Sequence, residues 1–518
     1  MKKITKAAGV ILSLLIVLSC ISLSFASAVG EVYSYSQING EATISRCQPL
    51  ARGKIEIPST YTVPKAILIC INDDCGYENK NLVYVCPECG YESDTEKEVC
   101  PDCESKKGCR SDVCPDCGKE NVILPKDIEI PVVRIGAGAF LDCENITEIV
   151  IPSSVKKIED GAFKNCASLE KVTFEGAECE IGKSVFAFCT SLKEINLPES
   201  LKAIPDETFS TCISLETINI PLNVELIGTE AFKMCEKLEK IGIPASVKYI
   251  KKNAFIGCKS VKAFNVDDAN KIYNDTGGVL YGPFFDSSKE VNDFTNDKAL
   301  IQYPNGLTAS SFSVPSDVDR IDDYAFGENT SITKVTLPEG LKTIEAFAFY
   351  SCTNLSEINI PSSVTFIGQN AFARCDSLKK IKIPASVESF GYAFYKSGLE
   401  EVTVENGVKT ISTRAFEDCT SLKSITIPDS VKTIGAGAFY NCTSLGEIEI
   451  PSSITSIGTK AFDGCSSISI IAEEGSAAYE YAKENGITVS TGEEELSFFE
   501  KLIKAIMDFF AMIFSIFM

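Results

Sequence analysis

Phenylalanine recurs in this chain with a fixed period, and the period leaves few folds open. It stands at Phe140, Phe163, Phe186, Phe209, Phe232 and Phe255, then at Phe326, Phe349, Phe372, Phe394, Phe416, Phe439 and Phe462. Successive intervals are 23 residues five times, then 71, then 23, 23, 22, 22, 23 and 23. A repeat of this length buries its apolar face only against the repeats before and after it, which is the condition for a solenoid. Residues 421–444 show the chemistry of one unit. Leu422, Ile425 and Ile427 precede Pro428, Val431, Ile434 and Gly435 follow it, and Ala438, Phe439 and Cys442 complete the unit. The Ile-x-Ile alternation puts both isoleucines on one face of a short strand. Pro428 has no N–H and ends that strand, while Gly435 allows the tight backbone leading into a short helical turn around Phe439. The expected architecture is a stack of about thirteen coils of 23 residues, with parallel strands and one short helical turn per coil.

The run from Ser421 to Cys442, Ser-Leu-Lys-Ser-Ile-Thr-Ile-Pro-Asp-Ser-Val-Lys-Thr-Ile-Gly-Ala-Gly-Ala-Phe-Tyr-Asn-Cys, resembles the repeat of BspA-type leucine-rich-repeat proteins of bacterial and protozoan surfaces. The resemblance covers about residues 132–470 and recurs in almost every unit. It implies a leucine-rich-repeat solenoid and an adhesin-like or host-interaction role. Departures are local: Val185-Phe186 and Thr208-Phe209 replace Ala-Phe, and the units around Phe394 and Phe416 are one residue short. The expected organisation is a signal peptide over 1–28, an N-terminal cap over 29–65, a cysteine-rich insertion over 66–121 and repeats over 122–258. An inserted hairpin over 259–315, repeats over 316–470, a C-terminal cap over 471–492 and an amphipathic tail over 493–518 follow. The 71-residue interval accounts for the hairpin: Gly278 to Tyr281 and Ala299 to Pro304 read as two strands around the polar stretch from Asp286 to Asp297. Such a hairpin serves either as a spacer that lets the sheet continue or as a protruding recognition loop.

The cysteines fall into two populations. Eleven, at Cys143, Cys166, Cys189, Cys212, Cys235, Cys258, Cys352, Cys375, Cys419, Cys442 and Cys465, share one repeat position, which Asn329 and Ser397 fill in two other units. They read as a ladder of reduced, buried thiols; a disulfide ladder is the alternative, disfavoured because parallel stacked side chains seldom reach the required dihedral. The second population holds Cys70 and Cys75, followed by Cys86 and Cys89, Cys100 and Cys103, and Cys114 and Cys117, the last three as Cys-Pro-x-Cys pairs that recur every 14 residues. Paired cysteines at this spacing present two thiolates to one tetrahedral ion, and two pairs close a four-cysteine site. The pattern resembles tandem zinc ribbons, with one metal for the first four cysteines and a second for the last four, and Cys109 left over. Iron suits the same ligands, and disulfides are the competing reading in an exported protein. Closed all-cysteine sites have no open coordination position, so the zinc is expected to be structural. The segments Lys54 to Tyr61 and Pro131 to Gly136 resemble two halves of one phrase, which makes this module an insertion in the N-terminal cap.

Compartment and charge bear on function. Lys2, Lys3 and Lys6, the apolar stretch Val10 to Ile21 and the small residues Ala26-Ser27-Ala28 have the form of a signal peptide. A lipoprotein-like box ending at Cys20 is a weaker alternative. A formal net charge of −22 opposes nucleic acid as a partner. The chain has no histidine and shows no nucleophile motif, which weighs against an enzyme. Outward strand positions such as Asn196, Asn219, Asn359 and Thr426 form polar rows suited to a protein or glycan partner. The tail from Leu496 to Met518 carries a narrow polar stripe on an otherwise apolar helix, fit for peripheral membrane contact or for self-association. The sequence therefore points to a secreted or cell-surface binding protein, with a structural envelope protein and an exported enzyme as the other classes.

Overall fold

The structure, a computed structural model, describes residues 33–38, 41–47, 52–63, 84–85, 92–93, 128–283 and 297–491. The chain divides into two compact units, residues 1–258 with 265–271, and residues 259–264 with 272–518. Both are built from the same coil, giving a parallel β-solenoid of about 15 turns with almost no helix.

In the first unit the strands Gly53–Glu56, Ile146–Ile151, Lys171–Phe174 and Glu194–Ile195 pair in parallel, each with the strand of the next coil. The second extended piece of each coil pairs likewise, through Glu41–Cys47, Ile128–Ile135, Lys157–Ile158 and Glu180–Ile181. Between the two lies the proline corner, where the N–H three residues after the proline bonds to the proline carbonyl, as in Val155 to Pro152 at 3.1 Å. Apolar positions of both strands face inward and every repeated Phe of this unit is at most 2 % exposed. Their rings stack coil on coil, with centroids 4.7 to 5.8 Å apart from Phe140 to Phe255. Offset stacking at this separation adds roughly 0.5–1.5 kcal/mol per pair to the burial of the ring.

The segment around each Phe is not the helical turn expected from sequence. Left-handed residues stand two before and two after every repeated Phe, as at Gly437 and Asn441 around Phe439, with φ of 59° and 60°. A right-handed helix cannot contain them. Alternate N–H groups serve two different bonds. Gly437, Phe439 and Asn441 donate to Thr459, Ala461 and Asp463 of the next coil at 3.0, 2.8 and 2.7 Å, while Ala438, Tyr440 and Cys442 close turns within their own coil. The left-handed residues thus turn a would-be helix into a third line of bonding between coils.

The second unit repeats this plan through strands such as Ser311–Ser313, Lys334–Thr336 and Glu357–Ile358, and Lys380–Ile383, Glu401–Val404 and Ser424–Thr426. Its hairpin is present as expected, with Val279–Pro283 antiparallel to Lys298–Gln302. The second hairpin strand also belongs to the solenoid, pairing in parallel with Arg320–Ile321. Tyr303, which is 23 residues before Phe326, occupies the Phe position of this additional coil: its N–H bonds to Ala325 O at 2.8 Å and its ring stacks on Phe326 at 4.9 Å. Cys47 fills the same position in a first coil of the other unit, its N–H bonding to Ala139 O. The C-terminal coil is covered by helix α1, Ala477–Glu484, whose N-cap Ser476 accepts from the N–H of Tyr479 and which buries Ala478 and Ala482. Gly486 follows the helix in a left-handed conformation, as the sequence suggested, and leads to Thr488–Ser490, which pairs in parallel with Ser469–Ile471.

Candidate interaction surface and cysteine-rich module

Inward positions of each strand are filled by the core, so the outward positions are what the solenoid presents to other molecules. In the first unit Asn196 and Asn219 are both exposed and face each other as bridge partners on adjacent coils. Gly242, in Lys240–Ile243, stands at the same position 23 residues further on and is also exposed. A Cβ added to Gly242 would meet no atom within 4 Å, and its φ lies outside the left-handed region. Neither crowding nor backbone conformation therefore requires glycine there. This contrasts with Gly435, where an added Cβ would come within 2.4 Å of Thr413 N; glycine is needed there for the close approach of coils.

In the second unit Thr426 is exposed and in register with Thr403, which pairs in turn with Lys382. Asn359 is exposed as well, but the fold uses its carboxamide. Its Oδ1 accepts from Leu337 N–H at 3.0 Å and its Nδ2 donates to Leu337 O at 3.2 Å, continuing the ladder where Glu357–Ile358 ends. Sequence alone places Asn359 on the outward row and gives no sign of this double bond.

Ion pairs tie neighbouring coils along the outward rows. Lys171 meets Glu194 at 2.8 Å, Lys193 meets Glu170 at 2.7 Å, and Lys380 meets Glu401 at 2.7 Å. The hydrogen bond between Lys171 and Glu194 holds the carboxyl below its usual range and the ammonium above its own. Exposed pairs of this kind contribute little each to stability, yet alternating signs penalise a slipped register.

All thirteen cysteines of the described solenoid residues are buried thiols, which bears out the reduced ladder. In the ladder from Cys166 onward the S–H donates to the carbonyl of the repeated Phe one coil back, as in Cys166 to Phe140 and Cys352 to Phe326 at 3.2 and 3.1 Å, whereas Cys179 donates to Glu180 O. Burial pushes Cys258 and Cys352 up to about 12, which keeps these thiols protonated near neutral pH. Asn329 satisfies the same corner differently, its Oδ1 accepting from the N–H groups of Ser331 and Ile332.

Cys70, Cys75, Cys86, Cys89, Cys100, Cys103, Cys114 and Cys117 lie outside the described residues, as does the tail 493–518. Around the module two backbone features are defined. Thr60–Val63 runs antiparallel to Ile128–Ile135, with Val63 opposite Ile128, so the chain leaves and re-enters the solenoid at adjacent points. Tyr84–Val85 and Glu92–Ser93 pair antiparallel on either side of the segment Cys86 to Cys89. Among the described residues no helix is long and apolar enough to cross a membrane.

Parallel coils, an inward ladder of Phe and Cys and an outward polar strand face define a leucine-rich-repeat solenoid. The chain belongs to the BspA-type leucine-rich-repeat family, whose profile matches in six copies over residues 133–262, 303–419 and 391–479, together more than half its length. Among solved structures it is similar to a leucine-rich-repeat protein of Eubacterium ventriosum, at 28 % identity over 64 % of this chain and 80 % of that one, with a TM-score of 0.48. It is also similar to a leucine-rich cell surface protein of Faecalibacterium prausnitzii, at 24 % identity over 91 % of this chain and 100 % of that one, with a TM-score of 0.48. A leucine-rich-repeat protein of Bacteroides ovatus matches at 21 % identity over 90 % of this chain and 99 % of that one, with a TM-score of 0.42. Among curated proteins no sequence matches the chain. Membership of this family fits a protein-interaction role.

Proposed function

We propose that this chain is a secreted or cell-surface adhesion protein that holds a protein partner on the outward strand face of its first unit. The observation that carries the reading is Gly242, an exposed strand glycine beside the Asn196 and Asn219 row that nothing inside the fold requires. Glycine within a strand costs about 0.5–1 kcal/mol relative to alanine, and it admits a close approach by another molecule. Carboxamides on the adjoining coils both donate and accept, which suits a partner's backbone or polar side chains. The surface location rests on the signal-peptide-like first 28 residues and on the family.

The cysteine-rich module in this reading is a structural zinc element. Its donors are all thiols, and the short hairpin around Cys86 and Cys89 fits a metal-binding knuckle. Bound zinc would be held by Cys70, Cys75, Cys86 and Cys89 at one site and by Cys100, Cys103, Cys114 and Cys117 at the other, where it would cross-link the segment and leave no position for a substrate. The apolar tail would keep the protein at the cell boundary through peripheral membrane contact.

A pull-down from host and bacterial extracellular material, comparing the wild type with the double variant Asn196→Arg and Asn219→Arg, tests the binding role. The reading expects a protein captured by the wild type and lost with the variant at unchanged thermal unfolding. Equal capture by both chains contradicts the proposed face, and no capture by either favours a structural envelope role.

A further inference from the structure

The second unit contains a cleft that comes from a missing residue. In the flanking coils three steps separate the corner cysteine from the next core leucine, as in Cys375 to Leu378 and Cys419 to Leu422. In the coil of Phe394 only Gly398 lies between Ser397 and Leu399. This corner is drawn in against its neighbour so closely that a Cβ on Gly398 would fall 1.9 Å from Asp376 O. The corners on either side stand proud of it, leaving a cleft of about 410 Å³ lined by Asp376, Lys379, Lys396, Asp418, Thr420 and Asn441. That volume falls within the range of about 300–1,000 Å³ common to small-molecule sites.

The lining is polar and internally balanced. Lys379 Nζ donates to Asp376 O at 3.1 Å and to Gly398 O at 3.4 Å. Lys396 Nζ stands 3.6 Å from Asp418 Oδ2, and Asn441 Nδ2 donates to Asp418 Oδ1 at 2.8 Å. The lining's two ammonium groups match its two carboxylates in number, and Lys379 also lies 3.8 Å from Glu400 Oε1. A charged ligand would compete with the Lys396–Asp418 ion pair and leave one of its members uncompensated. A neutral polyol would not, because each hydroxyl donates to a carboxylate or carboxamide oxygen and accepts from an ammonium or amide N–H. Peptides bind through apolar or aromatic anchors, for which the cleft lining offers no partner.

We propose that this cleft binds a neutral pyranose unit of a glycan, with Asp418 and Asn441 as its hydrogen-bonding pair and Lys379 and Lys396 as donors at its edges. The site shares no residue with the strand face around Asn219. Loss of sugar binding therefore leaves protein capture intact, and the two readings fail independently.

Saturation-transfer NMR on the full chain with methyl glycosides of glucose, galactose, mannose and N-acetylglucosamine tests the proposal. At least one glycoside is expected to bind, and Asp418→Asn and Asn441→Gly are each expected to weaken it by about tenfold, the loss of one good hydrogen bond to a charged or buried group. Both replacements tolerate the left-handed backbone at these positions, where φ is 58° and 60°, so thermal unfolding serves as the control for folding. Insertion of one threonine after Ser397, which restores the full corner, is expected to abolish binding. The proposal is overturned if no glycoside binds, if binding persists undiminished in both substituted chains, or if only charged sugars or peptides bind.

Discussion

Left-handed backbone recurs in thirteen coils, and most of the residues that adopt it are not glycine: Glu207, Phe347, Arg414 and Lys460 do so with φ between 52° and 59°. Each costs about 1–2 kcal/mol in isolation. The arrangement persists because a coil gains three hydrogen bonds to its neighbour and would otherwise bury peptide groups without partners. Two side chains in the second unit carry costs that substitution can remove. The hydroxyl of Tyr303 is buried without a hydrogen-bond partner among the described residues. Tyr303→Phe restores the residue of the other coils, and chemical denaturation is expected to show it more stable by about 1 kcal/mol; a loss of stability would mean the hydroxyl has a partner. Burial pushes Asp322 up to about 7; the Asp323 backbone N–H and the charge of Arg320 oppose the rise, while the carboxylates of Asp323 and Glu345 add to it. A carboxyl raised in the folded state stabilises the fold while protonated and loses that contribution as pH climbs from its ordinary range to about 7. The melting temperature of Asp322→Asn relative to wild type is therefore expected to increase between about pH 5 and pH 7 and to level off above. A difference independent of pH would contradict this assignment.

At the scale of elements, what was legible in the sequence is what periodicity encodes. The Ile-x-Ile alternation, the proline corner and the 23-residue step place the parallel strands, because burial on one face fixes side-chain type at every second residue. The turn around Phe reads as helical in sequence, since Gly-Ala-Gly-Ala-Phe-Tyr-Asn-Cys is compatible with a helix and only bonding between coils selects the left-handed residues. The coil at Tyr303 was hidden by the change from Phe to Tyr, although its distance of 23 residues from Phe326 was a usable signal. Asn196, Asn219 and Thr426 lie on the outward face as their strand positions required, while the side-chain bonds of Asn359 depend on where a neighbouring strand ends. The cysteine-rich module is where sequence carries the argument furthest. Metal analysis after purification under reducing conditions is expected to find about two equivalents of zinc or iron per chain, lost when Cys86 and Cys89 or Cys114 and Cys117 are replaced by serine. Metal-free protein with disulfides between Cys70 and Cys117 would decide for the competing reading.

For the whole molecule, an acidic solenoid and an apolar tail make opposite demands on solvent. Residues 496–518 are Leu, Ile, Phe or Met at most positions and carry four charged residues; exposing so many apolar side chains lowers solubility, so the segment should meet lipid or a second copy of itself. Deleting 493–518 is expected to leave thermal unfolding of the repeats nearly unchanged and to release the protein from cells into the medium. A truncated chain that remains cell-bound but loses a dimer on sizing would identify the tail as an oligomerisation helix. The central claim is that partners dock on the strand face, and site-specific photocrosslinking tests it most directly. With a photoreactive residue at Asn219 on the strand face or at Lys460 on the turn side, exposure of the full chain to extracellular material is expected to give a partner adduct at Asn219 and none at Lys460. Adducts at Lys460 alone would contradict the account and move the interaction surface to the turns.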